Sequence, residues 1–196
     1  MPDGQLAKRI VLGSKSPRRY QLLSDSGFDV EVRTQDDDED FDINMAVHEV
    51  AEMLAVRKAD ALKNTLKPDE ILITADSVVI LDGKIYNKPA DYDDAVKILA
   101  ALSGKQHTVI TGVCIMAIEV MKSFSVSTLV TFDQMTSKEI DYYITNFKPY
   151  DKAGAYGIQD WIGLCKVKEI NGSYSNIMGL PMRELYHVLI EFGVIL

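Results

Sequence analysis

Apolar positions along the chain fall into short runs and 3–4-spaced stripes that alternate, the pattern of a mixed α/β protein. Ile10, Val11 and Leu12 form a brief buried-strand run. Ser16 then stands as an N-cap, Pro17 at the first helical position, Leu22 and Leu23 on an apolar face and Gly27 at the stop, which predicts a helix. Residues 28–32 alternate and read as a strand. Over residues 44–63, Val47, Val50, Ala51, Leu54, Ala61 and Leu62 recur at helical spacing. Residues 71–73 and 78–81 predict two strands on either side of Ala75-Asp76-Ser77, with a hairpin turn at Asp82-Gly83. A helix capped by Asp91 follows, with Ala95, Ile98, Leu99 and Leu102 as its stripe and Gly104 as its stop. Residues 107–132 are Val-, Ile-, Thr- and Ser-rich and predict a long antiparallel hairpin turning near 119–122. Thr136-Ser-Lys-Glu139 is a capping box, opening a helix that turns Ile140, Tyr143, Ile144 and Phe147 inward. Residues 167–170 read as a strand, 172–176 as a turn and 181–192 as a closing helix.

Several polar residues break this pattern. Arg18 and Arg19 fall in the first turn of the first helix. Unpaired N–H groups and the macrodipole already concentrate positive charge there, at a cost of about 0.3–1 kcal/mol per cation. An anion on the preceding turn, most simply a phosphate, accounts for them; two solvated arginines are the plainer reading. The helix after Asp91, with Asp93 and Asp94 in its first turn, obeys the rule that the first helix breaks. Lys58 lies four residues past Leu54 on an apolar stripe, so it either snorkels out of the core or points into a cleft. Asp76 stands between two apolar runs, where an unpaired carboxylate is expensive. It needs a turn N–H, a lysine or a metal, and is either satisfied structurally or a catalytic acid or base. The five acids at residues 36–40 form a solvated loop or a magnesium-binding edge, since hard cations take carboxylate oxygens. Ala153, Gly154, Ala155 and Gly157 let backbone approach a ligand closely, while Lys152 and Gln159 supply a cation and an amide.

Composition narrows the partners. A chain of 196 residues is long enough for a substantial core in one domain or two small lobes. A net charge of −8 argues against nucleic acid or an anionic membrane as partner, and makes the basic pair Arg18 and Arg19 more informative. No apolar run approaches the ~20 residues of a membrane span, and no signal peptide is read at the start. A cytoplasmic location is expected. Cys114 and Cys165 lack metal-ligand spacing and are expected to be reduced and packed. His107 is expected at a strand end rather than on a metal, and His48 and His187 are assigned no chemistry.

Taken in order, Leu12-Gly-Ser-Lys-Ser-Pro-Arg-Arg19, Thr74-Ala-Asp-Ser-Val-Val79, Lys88-Pro89, Leu102-Ser-Gly-Lys-Gln-His-Thr-Val109, Asp151-Lys-Ala-Gly-Ala-Tyr-Gly-Ile-Gln159 and Gly172-Ser-Tyr-Ser-Asn176 resemble the Maf family of nucleoside triphosphate pyrophosphatases. The resemblance spans nearly the whole chain. It implies one domain over residues 1–196: an elongated mixed β-sheet with flanking helices and two lobes around a central cleft, similar to the inosine triphosphate pyrophosphatases. It also implies hydrolysis of a nucleoside triphosphate to the monophosphate and pyrophosphate with a divalent cation, Mg2+ or Mn2+, and a homodimer.

Residue by residue, Asp76 matches the family's proton acceptor, with Glu39 and Lys88 beside it as catalytic residues. Arg18, Ser77 and Gln159 match the positions that set base specificity, and Ser14, Arg19, Lys58 and Lys152 the substrate-binding positions. Glu39 and Asp76 are the carboxylates expected to hold the metal, with Asp76 serving either as the base or as a metal ligand. Arg18 together with Gly157-Ile-Gln159 looks like the dTTP/UTP branch rather than the methylated-GTP branch. Ser77 stands where threonine is usual in the family. The alternative the family name carries is a nucleotide-binding regulator of cell division without catalysis. Its signature would be loss of Asp76 or the lysines, and none is lost.

Overall fold

The computed structural model describes residues 8–35, 40–42 and 44–194. In chain order these form β1 (Arg9–Leu12), α1 (Pro17–Asp25), β2 (Val30–Val32), α2 (Val50–Leu62), β3 (Glu70–Leu81), β4 (Lys84–Tyr86), α3 (Tyr92–Leu102), β5 (Gln106–Met116), β6 (Met121–Phe132), α4 (Ser137–Phe147), α5 (Trp161–Lys166), β7 (Val167–Asn171), α6 (Tyr174–Ile177) and α7 (Met182–Glu191).

Three long strands, β3, β5 and β6, pair antiparallel as the spine of a mixed sheet. Its order is β2-β1-β3-β5-β6-β7, with β4 folded back on β3. The outer side of β3 is shared. β1 runs parallel to residues 70–73, while β4 pairs antiparallel with residues 79–81. Among the described residues, then, no strand lies beside residues 74–78 on that side, and the sheet is split there. Two cores flank the split. In one, Ile10, Leu12, Leu23, Ile71, Ile73, Val113 and Ile115 pack with Leu185 and Leu189 of α7. In the other, Val79, Leu81, Val109, Val130 and Phe132 pack with α3, α4 and Ile158 and Ile162. This is the expected sheet with flanking helices and two lobes around a cleft.

α2 crosses the sheet at the split. Its Val50, Ala51 and Leu54 pack on Val78 of β3 and Ile110 of β5. Gly112 makes this approach possible: a Cβ there would collide with the α2 backbone at Ala51 and Glu52. Gly112 also sits opposite Asp76 in the β3–β5 ladder.

Some local expectations need correction. The two strands predicted on either side of Ala75-Asp76-Ser77 are one continuous strand, because the β5 ladder carries straight through all three residues. The helix predicted over 44–63 starts at Val50, with a turn before it. Its buried face uses Ala55 and Ala59, while Ala61 is exposed. Cys114 is buried as expected, but Cys165 lies exposed on α5, a short helix the pattern did not predict. The turn predicted at 172–176 runs into α6, which ends at Ile177. Among the described residues no helix is long and apolar enough to cross a membrane.

Candidate active site

A cleft of about 740 Å3 opens over the split in the sheet. Its described lining includes Lys15, Arg18, Arg19, Lys58, Lys88 and Lys152, against the carboxylates of Asp40, Asp76 and Asp151. Among the described residues, six cations face three carboxylates, a local basic excess in an acidic chain. Fields of one sign focus in such low-dielectric walls and draw in counter-charged ligands.

Asp76 forms the floor and is 8% exposed. Its neighbours along β3, Ala75 and Val78, are buried, so the strand cannot turn the carboxylate out to water without exposing them. The Lys58 ammonium donates to Asp76 Oδ1, which answers what each residue is doing on an apolar stripe. Leu54, Lys58 and Ala61, one helical turn apart, all face the cleft. Lys58 therefore points inward instead of snorkelling away.

β1 delivers the second wall. It ends at Leu12, and the chain turns through Ser14, whose Oγ accepts from the Ser16 backbone N–H at 3.2 Å, into α1. Ser16 occupies the N-cap position, but its side chain makes no capping bond. The two arginines of the first turn then divide. Arg19 is clasped by protein acceptors: Nε donates to the Gly179 carbonyl at 2.8 Å, Nη1 to Ser14 Oγ at 3.1 Å and Nη2 to Ser77 Oγ at 3.1 Å. Ser77 Oγ in turn lies 2.8 Å from Thr111 Oγ1, which donates to the carbonyl of the fully buried Asn176 at 3.0 Å. Arg18 instead spans the cleft, donating from Nη1 to Asp151 Oδ2 at 2.9 Å.

The third wall is the stretch from Asp151 to Gln159. Lys152 Nζ donates to Asp151 Oδ1 at 2.8 Å, so one carboxylate bridges Lys152 and Arg18. Partial burial works against the Asp151 charge, yet Lys152 and Arg18 together hold its carboxyl below the usual range. Gly154 takes a φ of 70°, and a Cβ there would press on Val79 of β3, so the turn lies flat against the sheet. Ala155 follows at a φ of 57°. A non-glycine residue in that region costs about 1–2 kcal/mol. The burial of Ala155, Tyr156 and Ile158 offsets it. Tyr156 is fixed further by His107, whose Nε2 lies 2.8 Å from the tyrosine hydroxyl. His107 sits one residue inside β5 but is buried, which pushes its imidazole down to about 4 and keeps it neutral. Gln159 ends this stretch, exposed on the cleft wall.

Of the residues expected at the site, Ser14, Arg18, Arg19, Lys58, Asp76, Ser77, Lys88, Lys152 and Gln159 all line this one cleft. Glu39 lies outside the described residues; Asp40, next to it, is on the rim. The sequence reading missed Asp151, the shared partner of Arg18 and Lys152, although it opens the Asp151–Gln159 motif. It also passed over Lys15, inside the first motif. Charge sign was the available signal: an acid beside a lysine in a small-residue turn needs neutralising.

A basic cleft with a buried carboxylate–ammonium pair at its floor defines a protein that handles a small polyanion. The Maf-like protein family model matches residues 9–192, and the chain belongs to that family. It is 49% identical over 185 residues to a dTTP/UTP pyrophosphatase of Bacteroides thetaiotaomicron, covering 93% of this chain and 96% of that relative. It is 45% identical over 196 residues to a dTTP/UTP pyrophosphatase of Porphyromonas gingivalis, covering 98% of each. Among solved structures, the Ham1 protein of Staphylococcus aureus matches 64% of this chain and 72% of its own at 15% identity and a TM-score of 0.45.

Proposed function

We propose that this protein hydrolyses UTP and dTTP to the nucleoside monophosphate and pyrophosphate. The observation that carries this reading is Asp76, 8% exposed, ion-paired with Lys58 on the floor of a cation-lined cleft. A buried carboxylate aimed into a basic cleft is placed to take a proton from water while the anionic substrate is held around it. The Lys58 ammonium, donating to Asp76 Oδ1, fixes the direction in which that carboxylate faces. Lys88 and Lys152 neutralise the triphosphate, and their charge-assisted contacts strengthen as negative charge gathers on the departing pyrophosphate. Arg19, clasped by Ser14, Ser77 and Gly179, is a rigid donor whose planar fork suits phosphate oxygens. Arg18 and Gln159 both line the cleft and bring a guanidinium and an amide, the groups that can pair with the carbonyl and N–H edge of a pyrimidine.

The donor set fits a divalent cation. Among the described residues no three carboxylate, histidine or cysteine groups gather to cage one. Mg2+ is ordinarily held by one or two carboxylates together with substrate phosphates; Asp76 would supply one, and Glu39, which lies outside the described residues, the second that the resemblance implies. When bound, Mg2+ or Mn2+ supplies charge neutralisation on phosphate oxygens. The same reading takes residues 1–196 as one catalytic domain and includes a homodimer, both resting on the family resemblance. It also includes a cytoplasmic setting, which the two unpaired cysteines support.

A pyrophosphate-release assay over UTP, dTTP, CTP, ATP, GTP and methylated GTP, with and without Mg2+, tests the function. UTP and dTTP should lead, by about 10- to 100-fold over the purine nucleotides, since an unpaired buried polar group costs about 1–3 kcal/mol. The methyl that separates thymine from uracil is worth about 1 kcal/mol, so both should be accepted. A preference for GTP or its methylated forms, or binding without release of pyrophosphate, would overturn the reading.

A further inference from the structure

Tyr143 is a buried, titratable side chain that the proposed chemistry leaves without a part. It lies on α4, fully inside the second core, with its ring stacked on Phe147 at 5.2 Å. Its hydroxyl nevertheless reaches the back of the cleft wall. It donates to Asp160 Oδ2 at 2.7 Å and accepts from the Gly157 backbone N–H at 2.9 Å. Gln159 sits between those two anchors in the chain. Asp160 is itself diverted: it holds the N-cap position of α5, where aspartate ordinarily accepts from the first-turn N–H groups, yet its side chain makes no capping bond. The carboxylate is committed to Tyr143 instead. Burial, reinforced by Asp160, raises the phenol above its ordinary value, so it remains a proton donor across the working pH range.

We infer that Tyr143 is a positioning residue for base selection, its hydroxyl fixing the Gly157–Asp160 turn from which Gln159 meets the nucleotide base. Three contacts set that turn. Ile158 and Ile162 are buried on either side and pin its apolar face. The Asp160 N–H closes it on the Gly157 carbonyl at 3.0 Å. The Tyr143 hydroxyl then ties the first and last residues to α4, which leaves Gln159 as the residue exposed toward the cleft. A side chain that discriminates by hydrogen bonds must be held to within about 0.5 Å, and a loop alone does not do this. The inference rests on the pyrimidine reading of the cleft.

The test compares kcat/KM for UTP and GTP across variants. Tyr143→Phe keeps the ring and its packing and removes both hydrogen bonds. It should lower the UTP-to-GTP preference by about 3- to 10-fold, the loss expected for one or two hydrogen bonds, through a raised KM for UTP with kcat little changed. Asp160→Asn, which retains an acceptor, should keep the preference, and Asp160→Ala should lose it as Tyr143→Phe does. In a Gln159→Ala background, Tyr143→Phe should not change the ranking further, because the two act through one contact. A wild type that prefers UTP while both Tyr143→Phe and Asp160→Ala leave that preference intact, or slow UTP and GTP equally, overturns the inference. A wild type without any preference for UTP overturns the pyrimidine reading itself.

Discussion

Lys58 and Asp76 meet at the break between β1 and β4 along the outer side of β3, the ammonium from α2 donating to a carboxylate on the strand. Both side chains are largely shielded from solvent there. Each sits among apolar neighbours, and removing one charge of a desolvated pair strands the other. Structure and chemistry thus depend on the same contact, and the two roles can be separated by substitution.

Asp76→Asn keeps the size of the side chain and removes its charge. Pyrophosphate release from UTP should fall by about 10²–10⁴-fold, the usual worth of a general base, with a near-native circular dichroism spectrum. Lys58→Met keeps the aliphatic stem and leaves the carboxylate unpaired, which should destabilise the protein by about 1–3 kcal/mol in urea unfolding. The double variant should recover most of that stability and none of the turnover. Substantial turnover by either Asp76→Asn or the double variant would remove Asp76 from the chemistry.

What the sequence made legible here was mostly local. Asp91 caps α3 by accepting from the Asp94 N–H at 2.8 Å, and Thr136 and Glu139 close their capping box, because donor and acceptor lie three residues apart in each case. The continuity of β3 was not legible, since Ala-Asp-Ser is a poor strand former in isolation and the β5 ladder alone decides it. The partners of the cleft cations were hidden for a related reason. Arg18 finds Asp151 across 133 residues, a pairing that exists only once both lobes have folded. Lys58 showed as an anomaly on an apolar stripe, but its two possible fates could be told apart only by where α2 crosses the sheet.

That crossing gives the second prediction. Gly112→Ala would press a methyl group into the α2 backbone at Ala51 and Glu52. The helix must lift, and overpacking of this kind costs about 1–3 kcal/mol. Lifting α2 also draws Lys58 away from Asp76, so turnover should fall at temperatures where the variant is still folded. Assays below the variant's melting temperature check this. A lowered melting temperature with wild-type turnover would separate the helix position from the site.

Glu39 supplies the third. If it holds the cation together with Asp76, Glu39→Gln should raise the Mg2+ concentration needed for half-maximal turnover, while Asp36→Asn and Asp37→Asn should have little effect. Chelation with EDTA should abolish turnover, and added Mg2+ should restore it. Equal effects at all three positions would point to a diffuse acidic field in place of a defined ligand.

The last prediction concerns acid stability and two buried groups outside the cleft. Hydrogen bonding from Arg33 holds the Glu70 carboxyl down to about 2, against an ordinary value of 4.5. Burial alone holds His107 down to about 4, against 6.5. In both cases the unfolded chain takes up the proton first as pH falls, so the folded state loses stability across the interval between the two values. His107 should therefore erode stability from pH 6.5 toward 4, and Glu70 from 4.5 toward 2. Above both windows neither contribution changes with pH. Urea midpoints measured from pH 8 to pH 3 should decline in these two stages. Glu70→Gln should be less stable than wild type at neutral pH, because Arg33 loses a partner at 2.9 Å, and the gap should narrow below about 4.5, where the unfolded wild-type chain begins to take up its proton. It should leave the upper stage unaltered. His107→Phe should do the reverse, flattening the decline above pH 4.5 at the cost of a lost hydrogen bond to Tyr156. If Glu70→Gln and wild type decline in parallel down to pH 3, the Arg33 pair does not set the lower stage, and the acid sensitivity belongs to other carboxylates.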